Sequence, residues 1–186
     1  MRVIAGRFKG RRLAAPTWKG LRPTSDKLRE TLFNLLAPRI ASARVLDGFA
    51  GTGALGIEAL SRGAAEVTFI ESDARAQALL SGNLAHCGIE TGYTVIRAPI
   101  DLGLEMLRAD PAFVPFDIGL FDPPYDATDD GVLAEADPIL APGGVLVLEH
   151  ARRRSVPESA GRLVRVRQVR SGDSALSLYG LAVETR

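Results

Sequence analysis

The sequence predicts an α/β fold: a mostly parallel sheet with helices on both faces, a C-terminal antiparallel hairpin and a small N-terminal basic β arm. From residue 44 onward, short apolar runs alternate with helix-like segments, an order typical of βαβ units and a parallel sheet. The apolar runs are rich in Val, Ile, Leu and Phe on both faces, as strands buried on both sides are. After residue 162 the pattern changes to alternating apolar and basic residues around a Ser-Gly-Asp turn, which predicts a hairpin.

The first 40 residues predict a basic arm and one helix. Two β-like segments, 2–5 and 11–14, flank a turn region and indicate a small hairpin or an extended arm. Thr24 or Ser25 is a suitable helix cap, and the helix is expected to stop before a proline, at about residue 37. Four leucines fall on one helical face, while the neighbouring charged side chains are expected to face elsewhere: Leu28, Leu32, Leu35 and Leu36 on the apolar face, and Arg29 and Glu30 away from it.

The remaining elements follow from the same periodicities. Strands are predicted at 45–46, 67–70, 93–96, 116–121, 145–149, 163–170 and 174–183, and helices at 54–61, 74–87, 101–108 and 129–140. We expect residues 1–40 to be an arm and capping helix on a domain formed by residues 41–186, the two making one structural unit.

Composition narrows the function classes. The length of 186 residues corresponds to about one domain. A single cysteine, Cys87, excludes an intrachain disulfide and a multi-cysteine metal site, and two histidines are too few for a histidine-built zinc site. No apolar run approaches the ~18 residues of a membrane span, and the start lacks a secretory signal. A cytoplasmic protein without a metal or a membrane partner is expected.

Charge is distributed unevenly although the formal net charge is only +1. Residues 1–30 carry a net charge of +7, residues 31–150 of −11 and residues 151–186 of +5. Basic ends on an acidic centre suggest contact with a polyanion. In the N-terminal block the charges are dense and interleaved with Phe8 and Trp18, which favours nucleic-acid binding over a merely solvated face. For the C-terminal block both interpretations stay open.

A glycine-rich loop follows the first predicted strand, which ends at Asp47, and a helix follows the loop. These three segments form the opening unit of a nucleotide-binding α/β sheet. Residues 51–56 match the dinucleotide fingerprint G-x-G-x-x-G, and Glu71 offers a carboxylate for a ribose hydroxyl. However, the carboxylate of Asp47 would repel a pyrophosphate and suits a cationic, amino-bearing ligand. The pattern D-x-F-x-G-x-G resembles motif I of the S-adenosylmethionine-dependent methyltransferases, and this resemblance is favoured over the dinucleotide interpretation.

A second motif, Asp122-Pro123-Pro124-Tyr125, follows another apolar strand and therefore belongs to the same carboxyl edge of the sheet. The carboxylate of Asp122 and the carbonyl of Pro123 can each accept one N–H of an exocyclic amine, which favours a more nucleophilic nitrogen. The prolines offer carbonyls without donors, and Tyr125 can stack on a base. Alone, this motif would be a rigid turn; together with the glycine loop and Glu71 it predicts methylation of an amine.

The chain is similar to the bacterial 16S ribosomal RNA guanine-N2 methyltransferases of the RsmD type. Four matching stretches extend through nearly the whole chain: the arm 2–13, the helix start 21–34 containing Arg22-Pro23-Thr24, the loop 46–64 with Glu71 beyond it, and Asp122 to Tyr125. The resemblance implies a class I methyltransferase (Rossmann-like) sheet of seven strands. It also implies S-adenosyl-L-methionine as donor and a guanine 2-amino group as acceptor.

The resemblance also implies site residues. In the family an acidic or amide residue just after strand three faces the adenine, and here the role goes to Asp101, at the end of a segment that reads Arg97-Ala98-Pro99-Ile100-Asp101. The full set of cofactor residues is then Asp47, Phe49, Gly51, Gly53, Glu71, Ser72 and Asp101. The catalytic set is Asp122, Pro123, Pro124 and Tyr125. Phosphate contacts are expected from the N-terminal cations Arg7, Lys9, Arg11, Arg12 and Arg22.

The expected partner is 16S rRNA, within the small ribosomal subunit or its assembly intermediate, and the expected state is a monomer. We expect the basic arm and the C-terminal hairpin to dock on folded RNA, with the target base unstacked. Two alternatives remain: a DNA or RNA adenine-N6 methyltransferase, since the Asp-Pro-Pro-Tyr motif also serves that chemistry, and a non-catalytic RNA-binding assembly factor. The chain has no long insertion to read duplex sequence, and both motifs are intact.

Overall fold

Helices and strands alternate along the chain as the sequence predicts. The computed structural model describes residues 1–18, 25–124 and 129–182. The helices are α1 (Asp26–Leu36), α2 (Ala54–Ser61), α3 (Ala74–His86), α4 (Ile100–Ala109) and α5 (Asp129–Ala136), followed by a 3-10 turn (Asp137–Ile139). The strands are β1 (Arg44–Asp47), β2 (Glu66–Ile70), β3 (Tyr93–Ile96), β4 (Phe116–Phe121), β5 (Leu140–Ala151), β6 (Ser159–Ala160), β7 (Leu163–Ser171) and β8 (Ser174–Leu181).

All eight strands form one sheet in the order β3-β2-β1-β4-β5-β8-β7-β6. The first five pair in parallel, and β8, β7 and β6 continue the sheet antiparallel. The predicted seven strands and C-terminal hairpin are therefore confirmed, and the eighth strand is the two-residue β6. Parallel strands end at one edge of a sheet, so the residues that follow β1, β2, β4 and β5 share what we call the carboxyl edge.

Each face of the sheet packs against its own set of helices. On one face α1, α2 and α3 pack together with three apolar side chains of the arm, Val3, Phe8 and Leu13. On the other face lie α4 and α5, with Val156 and Tyr179 from the C-terminal part. Phe8, one of the two aromatic residues among the cations of the N-terminal block, is buried in this core, so its ring packs inside the protein and does not face a ligand.

The side chain of Arg29 was expected to face away from the core, and that expectation is wrong. It is fully buried on α1, where it donates hydrogen bonds to the carbonyl of Arg2 (2.7 Å) and to Asp26 (2.7 Å). The arm covers this part of α1, so a position that would be solvated on an isolated helix becomes interior. The cap prediction was confirmed, since the side chain of Ser25 accepts a hydrogen bond from the N–H of Leu28 (3.2 Å).

The segment before β5 also differs from the prediction. A helix was expected over 129–140, but α5 ends at Ala136 and Pro138 lies in the 3-10 turn. Proline lacks the N–H that a further α-helical turn would need, which is why the helix stops there. Strand β5 then begins at Leu140 rather than at residue 145, and its register with β4 shifts between Phe116 and Ile118.

The predicted arm hairpin is present as a single antiparallel bridge between Arg2 and Arg12. The turn between them contacts the end of α2 so closely that a Cβ on Gly6 would lie 1.8 Å from the carbonyl oxygen of Ser61. Glycine is therefore required there. The buried carboxylate of Glu58 accepts the N–H groups of Ile4 (2.7 Å) and Ala5 (3.0 Å), which attaches the arm to α2.

Candidate functional site

Asp47 ends β1 and is only 1% exposed. Its Oδ2 accepts the N–H of Gly56 (2.9 Å), whereas its Oδ1 is buried and has no hydrogen-bond partner among the described residues. Burial above all raises the pKa of this carboxyl to about 7; the charges of Asp122 and Glu71 contribute to the rise, and the Gly56 hydrogen bond opposes it. A buried carboxylate with an open oxygen is suited to a ligand that brings a positive charge or an N–H donor.

The glycine loop wraps around this carboxylate. Gly51 and Gly53 have φ of +53° and +78°, which other residues rarely adopt. A Cβ on Gly53 would also lie 2.2 Å from Leu80 Cδ1. Glu71 holds the loop from the next strand, because its Oε2 accepts the N–H of Gly51 (2.7 Å) and its Oε1 accepts the N–H of Asp73 (2.7 Å). Each carboxylate oxygen keeps a further lone pair for a hydroxyl donor.

Three predicted cofactor residues lie around this core with fewer contacts. Phe49 is half-buried and packs edge-on against Phe121, with ring centroids 5.8 Å apart. Ser72 is exposed between the two acids Glu71 and Asp73, and Asp101 is exposed in the first turn of α4. Within the described parts of the chain, neither Ser72 nor Asp101 forms a hydrogen bond to the loop. Their assignment to a ligand stays a prediction.

The segment Asp122-Pro123-Pro124 directly follows β4 at the carboxyl edge. Asp122 is half-buried, Pro123 is buried and Pro124 is exposed, while Tyr125 lies outside the described residues. The carboxylate of Asp122 is near enough to raise the pKa of Asp47. The edge therefore combines a buried acid that suits a cation with a more accessible acid that can accept N–H groups from a second ligand.

The residues predicted to contact phosphates do not lie at the carboxyl edge. Arg7, Lys9, Arg11 and Arg12 are exposed, and Arg22 lies outside the described residues. The N–H of Arg7 donates to the carbonyl of Ser61 (2.7 Å), and the side chain of Arg11 donates to the carbonyl of Cys87. Those carbonyls belong to the last turn of α2 and the end of α3. Since both helices run opposite to the strands, these cations lie toward the amino edge of the sheet, away from Asp122.

Sequence reasoning missed Asn83, which joins the arm to the glycine loop. This α3 side chain is 2% exposed, accepts the N–H of Ala14 (2.7 Å) and donates to the carbonyl of Thr52 (2.9 Å). The available signal was its spacing, because position 83 falls on the same helical face as the buried Leu80 and Leu84. An amide on such a face calls for buried hydrogen-bond partners.

Two negative findings concern the described residues alone. Across residues 1–18, 25–124 and 129–182, every helix is too short or too polar to cross a bilayer. The same ranges contain no cluster of three or more His, Cys, Asp or Glu side chains placed to hold a metal ion.

The family described as Conserved hypothetical protein 95 matches residues 1–180. A candidate rRNA methyltransferase of Bacillus subtilis, YlbH, is 36% identical over 96% of this chain and 98% of its own length. The Ribosomal RNA small subunit methyltransferase D of Haemophilus influenzae is 42% identical over 67% of this chain and 64% of its own. Among solved structures, YhhF of Escherichia coli, described as a candidate methyltransferase, aligns over 98% of both chains with a TM-score of 0.82 and 35% identity.

Proposed function

The chain belongs to the Conserved hypothetical protein 95 family, and from that premise we propose that it transfers a methyl group from S-adenosyl-L-methionine to the exocyclic 2-amino group of a guanine in 16S ribosomal RNA. Relatives named as small-subunit rRNA methyltransferases support the substrate class. The observation that carries the proposal is the open, buried Oδ1 of Asp47 at the same sheet edge as Asp122.

The residues around the glycine loop fit this cofactor. S-adenosyl-L-methionine supplies a methyl group on a positively charged sulfur and carries an amino acid tail. In the proposal, Asp47 pairs with the amino group of that tail, and the bare backbone at Gly51 and Gly53 allows close approach. Glu71 and Ser72 accept hydrogen bonds from the ribose hydroxyls. Beside them, Phe49 and Asp101 are assigned to the same ligand.

The chemistry on the acceptor belongs to Asp122 and its neighbours. The lone pair of an exocyclic amine is delocalised into the base, so the nitrogen is a poor nucleophile. The carboxylate of Asp122 and the carbonyl of Pro123 each accept one N–H, which turns the lone pair toward the methyl group and favours a tetrahedral nitrogen. The negative charge of Asp122 also stabilises the positive charge that develops on that nitrogen. Pro124 stiffens the loop, and Tyr125 is assigned to stacking on the base.

The proposed substrate is 16S rRNA within the small ribosomal subunit or its assembly intermediate, bound by a monomer in the cytoplasm. The target guanine must leave its stack to reach Asp122. The cations Arg7, Lys9, Arg11, Arg12 and Arg22 are assigned to phosphates. Residues 1–40 act as an arm and capping helix on the domain of residues 41–186, and both work as one unit.

Methyl transfer from labelled S-adenosyl-L-methionine tests the proposal. The acceptors are unmodified small subunits, free 16S RNA and duplex DNA, and the product is digested to nucleosides and identified. N2-methylguanosine from the RNA or the subunits is the expected result. N6-methyladenine would favour the adenine-N6 alternative, and measurable cofactor binding without transfer to any acceptor would overturn the guanine assignment.

A further inference from the structure

Arginines lie near both ends of the C-terminal hairpin, and the two groups differ in their partners; Arg154 and Arg167 belong to neither group. At the amino end of the hairpin, Arg162 pairs with Asp137 and Arg165 pairs with Glu158, each at 2.7 Å. At the other end stand three exposed arginines, which we call the edge arginines, and among the described residues no ion pair includes any of them: Arg152, Arg153 and Arg170. A set of neutralised cations and a set of accessible ones on the same hairpin indicate different roles.

The register of the strands places the edge arginines at the carboxyl edge of the sheet, where Asp122 also lies. Strand β5 pairs with β8 through Ala151 and Ser174, and β8 pairs with β7 through Ser174 and Ser171. The N–H of Arg152 donates to the carbonyl of Asp173 (2.7 Å), which attaches the segment after β5 to the β7–β8 turn. These contacts lie at or just beyond the carboxyl end of β5, and therefore at the same edge of the sheet as Asp122.

The same register gives the height of Arg152 above Asp122. Phe121 of β4 is level with Leu148 of β5, so Asp122 is level with the next residue of β5, and Arg152 lies three residues further on. Three residues of extended chain correspond to about 10 Å. Arg152 and Arg153 therefore lie above Asp122, beside a surface groove of about 670 Å³ lined by Ala151, Arg152, Arg153 and Asp173. Arg170 is level with His150 of β5 through Ala175, so it lies one residue above Asp122 and three strands along the sheet from β4. We call this line of cations along the carboxyl edge the rim.

The charges at this edge affect a nucleotide base and its phosphates differently. The floor contains the acids Asp47, Glu71 and Asp122, which repel phosphates, whereas a neutral base can enter. Phosphates next to an inserted base remain above the floor, at the height of the rim, where accessible guanidinium groups can bind them. The cations of the arm cannot do this, because they lie toward the amino edge, about 12 Å away over the length of α2.

We propose that Arg152, Arg153 and Arg170 bind the phosphates that flank the target nucleotide, and that the arm contacts a separate stretch of the same RNA. This inference rests on the proposed function and adds to it a division of the RNA-binding surface. Phosphate contacts near the target set the depth at which a base reaches Asp122, while contacts by the arm set the orientation of the enzyme on the RNA.

A charge-matched pair of variants tests the inference. The first replaces the three edge arginines by Ala, and the control replaces Arg39, Arg44 and Arg108, three arginines toward the amino edge, by Ala. Binding of unmodified 16S RNA is measured by fluorescence anisotropy across salt concentrations, and cofactor affinity by calorimetry. For the edge variant we expect at least tenfold weaker RNA binding and a salt slope shallower by about 2, since each phosphate contact in single-stranded RNA contributes about 0.7. Cofactor affinity should be unchanged, and the control should behave like the native protein.

Phosphate ethylation interference then locates the contacts. In the native protein, ethylation of phosphates next to the modified nucleotide should block binding, and in the edge variant that local sensitivity should be lost while sensitivity at distant phosphates remains. Equal affinity and salt slope of the edge variant and the control would overturn the inference, as would loss of only the distant interference. These measurements need no methyl transfer, so they test the inference separately from the proposed reaction. Failure of the reaction itself would be seen in the nucleoside digest.

Discussion

Two buried carboxylates near opposite ends of α2 have opposite surroundings. Glu58, at the end that meets the arm, is fully buried and accepts two backbone N–H groups and a 2.7 Å bond from Arg62. Asp47, at the end that meets the glycine loop, is equally buried but keeps one oxygen without a partner among the described residues. Burial is the same, so the two carboxylates differ in the number of their hydrogen-bond partners: Glu58 is satisfied within the fold, and Asp47 keeps an oxygen that is available to a ligand.

The arm as a whole resembles Glu58 in this respect. The N–H of Phe8 donates to Ser61 Oγ (2.9 Å), and Asn83 binds both the N–H and the carbonyl of Ala14 (2.7 and 3.3 Å). The carboxyl edge, by contrast, collects three acids whose charges disfavour one another. The hydrogen bonds that attach the arm to α2 and α3, which we call the seam, therefore contribute to stability. At the carboxyl edge the repulsion among the acids opposes stability, and a cationic ligand bound there would reduce it.

The largest expected effect is on the seam. Glu58→Gln removes the charge that Arg62 needs and turns an amide donor toward a backbone N–H. Breaking a buried pair in this way costs about 3–5 kcal/mol. Urea denaturation should show that loss in the free energy of unfolding, and limited proteolysis should cut the arm faster. The half-exposed Glu66, paired with Arg44, is the control: Glu66→Gln should cost less than about 1 kcal/mol. Equal losses in the two variants would contradict a structural role specific to Glu58.

At the carboxyl edge, Asp122→Ala should abolish most turnover while cofactor binding persists. Removing a group that stabilises developing charge slows the chemical step about 100- to 1,000-fold. Single-turnover kinetics with labelled S-adenosyl-L-methionine measures the rate, and calorimetry measures cofactor affinity. Methylation at the native rate would refute the amine-holding role of Asp122.

Asp47→Asn provides the sharpest contrast with Glu58→Gln. The variant loses the negative charge, so S-adenosyl-L-methionine should bind about 100-fold more weakly. At pH 8 the cofactor-free variant should nevertheless be at least as stable as the native protein, because a buried charge has been removed. Calorimetry on these preparations tests the weaker cofactor binding, and urea denaturation tests whether the stability is kept. A variant that lost stability as Glu58→Gln does would show that the two carboxylates share a structural role.

Asn83→Ala should have an intermediate effect, since this residue belongs to the seam but also binds the carbonyl of Thr52 in the glycine loop. Leaving buried backbone groups without partners should lower the free energy of unfolding by about 2 kcal/mol. Ser81→Ala on the exposed side of the same helix is the control, with an expected change within about 0.5 kcal/mol. If the two variants were equally stable, the bridge from the arm to the loop would not contribute to the fold.

Cofactor binding should also depend on pH, with the smallest change per pH unit. With a pKa of about 7 in the cofactor-free protein, Asp47 is mostly protonated below that pH, and its proton competes with a cationic ligand. Affinity should therefore fall by up to about tenfold per pH unit as the pH drops below 7.

The raised pKa also affects stability. The folded chain keeps a proton on Asp47 that the unfolded chain releases near 3.8, so the free energy of unfolding falls as the pH rises from that value toward 7. Calorimetry and denaturation across pH 5–8 should show both trends, and both should be weaker in Asp47→Asn.

Much of the fold could be predicted from local patterns. Alternation of apolar runs with helical segments indicated the parallel strands and the hairpin, and the glycines and prolines marked the two loops of the candidate site. The boundary before β5 was wrong because a proline at position 138 competes with a helix-like apolar pattern. Arg29 was misplaced because its burial depends on the arm, a segment more than twenty residues away in the chain.

Local sequence patterns were enough to place Asp47, Glu71 and Asp122 at the carboxyl ends of three strands, β1, β2 and β4, and parallel pairing then brings them to one edge regardless of packing detail. Burial and the number of partners of each side chain became visible only in the packed chain, as the full set of partners around Glu58 and the open oxygen of Asp47 illustrate. The same holds for the cations of the arm, which lie toward the amino edge, and for the edge arginines, which lie at the carboxyl edge without an ion pair among the described residues. The physical reason is that periodicity acts over a few residues, whereas burial and pairing arise between segments that only the packed chain brings together.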